Sequence, residues 1–493
     1  MTLSLPKTRI APVNLILIAC AIFYAVIYFV YYPPIYAYRD EGSYLAMSYV
    51  MRQGTLYIDQ TNIPVPWVHH FTHDVSHYPI GNSLLLIPFT LLHWKSVFLV
   101  GLIAHFLGLL VFIKLLDIFG FEDRKIALLY LFFPAFVFYS RTIMSDIPAM
   151  TIFLSACYFY FKDSPQQSGR NLFFSGIGFG VGFLFRTTNL ILAFPFSLRL
   201  LVSAFRQKQG KSLFLFLAGL TPFLCGSAVI NHFLYGSVWN TGYGFLCNFS
   251  PGFFLPHLGH YLVSFSLMYP FMAACFVTCR KIHKPEIIFA AILLGILYSF
   301  YYFYDWFPNP WLTKVFATRF LFPVIPFFIM AFGAALSGFL KKFPKPIQNF
   351  LVAGGLIILM AGSWAINREH QAVLNQQERL RHDVYQSTEK GSVLIYDSNA
   401  AELMQRIWGD RVYRRYDGWD EFQKVVETVR GSKIYFIRWN AFYQDSTIEG
   451  IPREEFQKIQ KNYDLKEIVS DLGLSIYELK KHPMNILQEL RGR

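Results

Sequence analysis

Long apolar runs separated by short charged gaps make up most of the first 366 residues. The first run, residues 14–32, holds no charged residue and is long enough to cross a bilayer as a helix. Runs bounded by charged residues, glycine or proline predict about eleven membrane spans. The predicted spans lie near 14–32, 96–117, 124–140, 147–162, 170–186, 188–205, 211–232, 259–279, 285–304, 319–340 and 346–366.

Two polar or short segments interrupt this pattern before the second span. In the loop after the first span, a helix that ends at Arg52 is predicted to follow Arg39-Asp40-Glu41-Gly42-Ser43-Tyr44. The apolar stretch 81–93 is too short to cross a bilayer, so it predicts a helix lying at the membrane interface. The first outer loop, roughly 33–95, is long, and long loops without a fold of their own are often functional.

The composition agrees with a polytopic α-helical membrane protein. Of 493 residues, 54% are hydrophobic and only 15% are charged, whereas a soluble domain has about 25% charged residues. The net charge of +13 lies mostly in short gaps, which indicates topology signals rather than nucleic-acid binding. The six cysteines form neither a disulfide framework nor a metal-ligand spacing.

The basic residues predict the orientation. They cluster in alternate gaps, which places those gaps and the N-terminus in the cytoplasm by the positive-inside rule. The first span reads as a retained anchor rather than a signal peptide. An odd number of spans then places residues 367–493 outside, and the short N-terminus favours a bacterial cytoplasmic membrane. The basic residues concerned are Lys7, Arg9, Lys114, Arg124, Lys125, Lys162, Arg170, Arg206, Lys208, Lys211, Arg280, Lys281, Lys284, Lys341, Lys342 and Lys345.

Acidic residues in the outer gaps are the candidate catalytic groups. Asp40 and Glu41 lie just beyond the first span, where carboxylates are costly unless they have a partner or a function. Asp146 lies in the second outer gap. Simpler roles exist for each: Asp40 and Glu41 could begin a solvated helix, and Asp146 could cap one.

Basic residues in other outer gaps complete the candidate site. Arg186 and Arg319 offer guanidinium forks suited to a phosphate, and Lys314 could add a point charge. Either arginine could instead reach a lipid headgroup only. Together these gaps predict a site for a phosphorylated, hydroxyl-rich substrate.

The motifs resemble those of the GT-C superfamily of polytopic glycosyltransferases, in the branch of protein O-mannosyltransferases and lipid A aminoarabinose transferases. The resemblance covers about residues 14–340, and Ile80 departs from the proline usual in relatives. The matching motifs are Asp40-Glu41 with Tyr44, Ala46 and Gly54; Tyr78-Pro79-Ile80-Gly81 with Ser83-Leu84-Leu85; Ser145-Asp146-Ile147-Pro148-Ala149; Arg186-Thr187-Thr188-Asn189; and Arg319-Phe320 with Pro323.

The resemblance implies transfer of a sugar from a polyprenyl-phosphate carrier to a hydroxyl group of a glycan, lipid or protein, usually with inversion. It assigns the base to Asp40, or to Glu41 as the alternative, and gives Asp146 an orienting role. Arg186, Arg319 and Lys314 would hold the leaving phosphate. The residues expected in the substrate loops are Tyr44, Tyr78 and Tyr243.

Histidines at residues 69, 73 and 77 are weak candidates for a divalent metal site. Their four-residue spacing would align His69, His73 and His77 on one helical face, but flanking prolines oppose a long helix there. Polar residues lining a loop are the alternative reading.

Residues 367–493 predict a small extracytoplasmic α/β domain with a mostly parallel sheet. Its role is open between acceptor recognition, a lid and a structural appendage. The expected strands are 393–397, 411–416 and 433–439, and the expected helices are 399–408 and 419–430.

Two other functions fit parts of the pattern. A polymerase or ligase of lipid-linked glycans shares the outer face and the carrier, but places its arginines in large later loops. A transporter or flippase predicts ionisable residues near the bilayer midplane or an internal repeat, and the sequence shows no repeat.

Overall fold

The computed structural model describes residues 12–58, 68–70, 73–162, 169–207, 210–243, 249–301, 317–397, 400–404, 411–429, 431–439 and 451–481. Over these residues the protein is mostly helical, with a small sheet near the C-terminus. The helices before the sheet are α1 Pro12–Val30, α2 Arg39–Arg52, α3 Ile80–Leu92, α4 Leu99–Ile118, α5 Ile126–Leu131, α6 Pro134–Tyr139, α7 Asp146–Phe161, α8 Gly169–Phe185, α9 Leu190–Gln207, α10 Gly210–Tyr235, α11 Phe254–Met268, α12 Met272–Thr278, α13 Pro285–Ser299, α14 Ile325–Leu340 and α15 Lys345–Ser387.

Several helices have the length and composition of membrane spans, which confirms the predicted fold class. Among the described residues, four are long and apolar enough to cross a membrane: Trp94–Ile118, Thr187–Arg206, Gly210–Tyr235 and Lys345–Ser387. A fifth exists if α11 and α12, bent by 96°, count as one span. Five further apolar helices are shorter: α1, α3, α7, α13 and α14. The total of eleven spans therefore stays a prediction.

The predicted span 124–140 consists of two short helices, α5 and α6, separated by a break before Pro134. Proline has no N–H group, so the regular bonding pattern fails there. The N–H of Phe133 donates to the Tyr130 carbonyl at 3.2 Å instead of to the Leu129 carbonyl one residue earlier. Side chains from elsewhere in the chain donate to carbonyl groups near the break. Tyr269 donates to the Leu129 carbonyl at 2.7 Å, and His105 Nε2 donates to the Leu131 carbonyl at 3.1 Å.

Within hydrocarbon, a freed carbonyl has no water to accept from, so a partner from another helix stabilises the break. We expect His105→Leu to lower stability by about 1–3 kcal/mol, because the Leu131 carbonyl would be left buried without a donor. Thermal unfolding in detergent measures this. The control is His232→Leu, the same change at an exposed position on α10. Equal melting temperatures for both variants would contradict this role of His105.

Close helix contacts hold α8 against α10. A Cβ at Gly176 would lie 2.0 Å from the carbonyl oxygen of Phe216, and one at Gly219 would lie 2.2 Å from that of Phe173. Only glycine permits this approach, and small residues at such crossings are typical of membrane helices. The packing fixes the end of α8, from which Arg186 extends.

Two strands of the first outer loop are β1 Val68–His70 and β2 Asp74–Ser76. The C-terminal sheet consists of β3 Val393–Tyr396, β4 Val412–Arg415, β5 Ile434–Trp439, β6 Tyr463–Asp471 and β7 Leu474–Lys481, in the order β4-β3-β5-β7-β6. The strands β3, β4 and β5 are parallel, as predicted, whereas β6 and β7 form an antiparallel pair that the sequence analysis missed. The predicted helix 399–408 is a single 3-10 turn, Ala400–Leu403, over its described part. Two helices lie between these strands along the chain: α16 Trp419–Thr428 and α17 Arg453–Asn462.

The helix α15 links the helical region to this sheet without interruption. It continues 21 residues beyond the predicted end of the last span at residue 366, to Ser387. Its C-terminal part contributes Leu380 and Val384 to a core shared with Leu394 and Ile437 of the sheet. The division of the chain at residue 366 therefore falls inside a helix, and it remains a prediction.

Candidate active site

Asp40 lies in the first turn of α2 and is held by two side chains from distant parts of the chain. Its Oδ1 accepts a hydrogen bond from the Tyr78 hydroxyl at 2.7 Å. Its Oδ2 accepts from Nη1 of Arg319 at 3.2 Å, an ion pair between side chains only 12% and 9% exposed. Burial raises the pKa of Tyr78 well above its usual value, so the phenol keeps its proton and acts as the donor.

A second ion pair lies beside the first. Asp146, the first residue of α7, accepts at Oδ1 from Nη2 of Arg186 at 2.6 Å. Its Oδ2 is buried and has no hydrogen-bond partner within the described part of the chain. Ser145 is the N-cap residue, and no side chain caps α7, so Asp146 does not act as a cap here.

Ser145 and aromatic rings join the two pairs into one cluster. The Ser145 hydroxyl lies 3.4 Å from Nε of Arg186 and 3.2 Å from the hydroxyl of Tyr44. The Tyr44 ring packs on that of Tyr78, with centroids 4.8 Å apart. Both guanidinium groups lie against the ring of Phe320, at 5.6 Å for Arg186 and 4.8 Å for Arg319. Two carboxylates and two guanidinium groups thus lie in one buried cluster.

Glu41 points away from this cluster. Its Oε2 accepts backbone N–H bonds from Ala37 at 3.0 Å and Tyr38 at 3.1 Å, and its Oε1 accepts from Ile143 at 2.9 Å. Burial raises the pKa of Glu41 to about 7, although these N–H groups and the charge of Arg381 oppose the shift. These bonds tie the Glu41 side chain to the backbone before α2 and before α7.

The third predicted tyrosine packs beside the cluster. The Tyr243 ring lies 6.0 Å from that of Tyr78 and 5.1 Å from that of His77. Its neighbour Gly242 makes close approach possible, because a Cβ there would lie 2.4 Å from the His77 carbonyl oxygen. Lys314 lies outside the described residues.

The histidine segment is not helical where it is described. Its strands β1 Val68–His70 and β2 Asp74–Ser76 pair antiparallel, so the helical face proposed for the three histidines does not form. His73 packs on Tyr57, with ring centroids 4.3 Å apart, while the side chain of His69 lies outside the description. In the described part of the chain, no group of three His, Cys, Asp or Glu residues could hold a metal ion.

Three contributors were not predicted from the sequence: Ser145 as a bridge, Phe320 as the ring between the arginines, and Asn82. Asn82 donates from Nδ2 to the Ile143 carbonyl at 2.7 Å and is fully buried. Ser145 and Phe320 are neighbours of predicted residues, so adjacency was an available signal. For Asn82 the only available signal was a polar residue within an apolar stretch.

Comparison with protein families gives one partial match. The family described as dolichyl-phosphate-mannose-protein mannosyltransferase matches residues 85–232. This segment includes Asp146 and Arg186, but neither Asp40 nor Arg319. Among curated protein sequences, none matches the chain significantly.

Solved structures show the fold over nearly the whole chain. ArnT from Cupriavidus metallidurans in the apo state is 14% identical, with a TM-score of 0.61 and 95% of this chain and 98% of that chain covered. The same protein bound to undecaprenyl phosphate is 12% identical, with a TM-score of 0.58 and the same coverage. Archaeal oligosaccharyltransferase AglB from Archaeoglobus fulgidus, in complex with an inhibitory peptide and a dolichol-phosphate, is 10% identical, with a TM-score of 0.50, covering 96% of this chain and 74% of that chain.

By fold the protein is therefore similar to ArnT over nearly its whole length, and residues 85–232 match the mannosyltransferase family. The resemblance predicted from the sequence motifs is thereby confirmed.

Proposed function

We propose that the protein is an inverting glycosyltransferase that moves a sugar from a polyprenyl-phosphate carrier to a hydroxyl group of an acceptor. The main support for this proposal is the pair of buried ion pairs: Asp40–Arg319 at 3.2 Å and, beside it, Asp146–Arg186 at 2.6 Å. This arrangement supplies a carboxylate for a hydroxyl group and two guanidinium forks for a phosphate. Structurally similar proteins have been solved with undecaprenyl phosphate and a dolichol-phosphate.

In this reaction Asp40 is the general base. Its carboxylate takes the proton of the acceptor hydroxyl, and the acceptor oxygen forms a bond to the anomeric carbon of the sugar. The bond from that carbon to the phosphate oxygen breaks on the opposite side, and the electron pair leaves with the polyprenyl phosphate. A single displacement of this kind inverts the anomeric configuration.

Arg319 and Arg186 receive the leaving phosphate, whose negative charge grows as the bond breaks. In the structure each guanidinium group already pairs with a carboxylate, so binding of the donor requires an exchange of partners. When Arg319 turns to the phosphate, Oδ2 of Asp40 is open to the acceptor hydroxyl. Lys314 would add a further positive charge, as the motif resemblance implies.

Asp146 holds Arg186 in place and leaves one oxygen for a substrate hydroxyl. The rings of Tyr44, Tyr78 and Tyr243 form an aromatic wall beside Asp40, against which a sugar can pack. Either the donor sugar or the acceptor can pack against these rings. The Tyr78 hydroxyl orients Asp40 in both cases.

The site is proposed to face the extracytoplasmic side of a bacterial cytoplasmic membrane, with the C-terminal domain on the same side. Gln53, at the end of α2, is exposed, whereas Ser43 is fully buried and unsuited to labelling. In a background without native cysteines, we expect Gln53→Cys to react with a membrane-impermeant maleimide added to intact cells. Lys342→Cys, exposed in the gap before α15, should react only after permeabilisation. The reverse pattern would place the site in the cytoplasm.

The alternatives predict different behaviour. A transporter needs ionisable groups along the path through the membrane, whereas the candidate residues lie at helix ends: Asp40 in the first turn of α2, Asp146 at the start of α7 and Arg186 after α8. A glycan polymerase or ligase shares the carrier and is separated by its product.

A reconstituted assay tests the proposal. Purified protein in lipid vesicles receives polyprenyl-phosphate sugars, with nucleotide sugars as the control donors, and a panel of protein, lipid and glycan acceptors. The proposal predicts transfer of one sugar from the lipid-linked donor alone. Growth of a lipid-linked chain would favour the polymerase, and movement of the intact carrier without cleavage would favour the transporter.

A further inference from the structure

Two buried charged residues from the C-terminal part of the chain interact electrostatically with the residues on either side of Asp40. Arg39 and Glu41 flank Asp40 at the start of α2. The positive charge of Arg381, on α15, acts on Glu41, and that of Arg39 acts on Asp397, which follows β3. Arg381 and Asp397 are almost completely buried. The proposed reaction uses neither of them.

Arg381 connects the sheet to the segment that leads into α2. Its Nη1 donates to the carbonyl oxygen of Tyr36 at 2.6 Å, and its guanidinium group lies 4.4 Å from the centroid of the Tyr36 ring. On the same helix, Leu380 and Val384 belong to the core of the sheet. The helix α15 therefore contacts the sheet through one set of side chains and the entry to α2 through another.

Glu41 extends this contact to the loop before α7. The N–H of Ile143 donates to Glu41, and the carbonyl of the same residue accepts from Asn82. This part of the backbone is therefore held from two directions. Ser145 and Asp146 follow directly along the chain, so the position of the second acidic residue depends on the same contacts.

Asp397 provides the second connection. Its Oδ1 accepts from the N–H of Ala400 at 2.7 Å and its Oδ2 from that of Trp439 at 3.3 Å. Burial raises its pKa to about 6, while the charges of Arg438 and Arg39 oppose that shift. The 3-10 turn Ala400–Leu403 contacts α2. The C-terminal edge of the parallel strands thus lies against the helix that carries Asp40.

We propose that the C-terminal domain positions the catalytic base, with Arg381 and Asp397 as positioning residues that act on Glu41 and Arg39. The inference rests on the proposed function, in which Asp40 takes a proton. Proton transfer requires hydrogen-bond reach, and small displacements of a catalytic group lower the rate strongly. Because the domain holds both neighbours of Asp40, it fixes how the first turn of α2 is rotated about the helix axis and where it lies along that axis.

The test is Arg381→Met, assayed in the full-length protein in vesicles. We expect kcat to fall about 10- to 100-fold, with binding of polyprenyl phosphate unchanged, because the variant displaces the base and leaves the phosphate site intact. Arg381 lowers the pKa of Glu41, so its loss should move the acidic limb of the kcat profile to higher pH, because protonated Glu41 accepts the N–H bonds that position the first turn of α2 less well. Among the described residues, the other groups that contact Glu41 are backbone N–H groups, which do not titrate. Arg381→Lys should restore part of kcat.

Arg379→Met is the matched control. Arg379 lies on the same helix and pairs with Asp471 of β6 at 2.7 Å, and its side chain is 64% exposed, whereas Arg381 is fully buried. We expect this variant to keep wild-type kcat, while Asp397→Asn lowers kcat as Arg381→Met does. Unchanged kcat and pH profile in both Arg381→Met and Asp397→Asn would overturn the inference. Weakened phosphate binding with unchanged kcat would also overturn it.

Hydrogen exchange of the α2 amides separates this inference from the proposed function. Exchange is expected to be faster in Arg381→Met than in Arg379→Met, with no substrate present, since only the first variant loses the hydrogen bond to the Tyr36 carbonyl in the segment that leads into α2. If wild-type protein transfers no sugar, the proposed function fails and this comparison still decides whether the domain holds α2. Equal exchange in the two variants would show that it does not.

Discussion

Asp40→Asn is expected to lower the rate of sugar transfer by about 10²–10⁴-fold, the usual contribution of a general base. The variant keeps the size of the side chain and can still contact Tyr78 and Arg319, so the loss reports the proton acceptor rather than the fold. Binding of polyprenyl phosphate should be at least as tight as in the wild type. The reason is that Arg319 no longer has a carboxylate competing with the phosphate. Initial rates and equilibrium binding in vesicles measure both effects.

The control for this prediction is Asp117→Asn. Asp117 also pairs with an arginine, Arg124 at 3.1 Å, but the two side chains are 48% and 41% exposed, whereas those of Asp40 and Arg319 are nearly buried. We expect wild-type transfer and binding from this variant. Full activity of Asp40→Asn would remove Asp40 as the base. Weaker phosphate binding in Asp40→Asn would contradict the exchange of partners at Arg319.

Arg319→Met is expected to abolish transfer and to lower the free energy of unfolding by about 3–5 kcal/mol. The substitution removes the phosphate ligand and leaves the buried carboxylate of Asp40 with no charged partner. Adding Asp40→Asn to this variant should recover most of the stability, because the unpaired charge is gone, but none of the activity. Thermal unfolding in detergent and the transfer assay, run on the same preparations, measure the two effects separately.

Arg124→Met serves as the control, because it breaks an exposed ion pair, which is worth about 0–1 kcal/mol. We expect little change in stability from it and no change in transfer. If the double variant Arg319→Met/Asp40→Asn is no more stable than Arg319→Met, the pair does not balance a buried charge. Activity in the double variant would show that neither residue is required.

Helix positions were predictable where charges, prolines or glycines bound the apolar runs. The predicted helix through Arg52 is α2, and the interfacial stretch 81–93 is α3. The break at Pro134 was missed, although the proline was visible, because an unbroken apolar run gives no sign of a bend. The extension of α15 to Ser387 was missed for the opposite reason, since the composition becomes polar while the helix continues.

The members of the candidate site were predictable, but their pairing was not. Asp40, Asp146, Arg186 and Arg319 stood out as charges at the ends of predicted spans. Asp40 and Arg319 are 279 residues apart, and periodicity says nothing about which helix ends meet. The separation of Asp40 from Glu41 does follow from helix geometry, since adjacent residues point about 100° apart. One can then face the site while the other faces backbone.

The C-terminal hairpin was missed because its first strand is highly charged. Strand β6 contains Asp464, Lys466 and Glu467, and it directly follows the amphipathic helix α17. The turn signal was present in Gly473, which has a φ of 77° and follows Leu472 at 46°. A glycine at a two-residue turn between β strands is typical of hairpins.

A single-turnover experiment decides whether the sugar is transferred by one direct displacement. Wild-type protein in vesicles is mixed with a slight deficit of polyprenyl-phosphate sugar of known anomeric configuration, together with an acceptor. We expect one equivalent of polyprenyl phosphate to be released for each sugar attached, with the opposite configuration at the anomeric carbon. Retention of configuration, or carrier that crosses the bilayer with its sugar still bound, would contradict it.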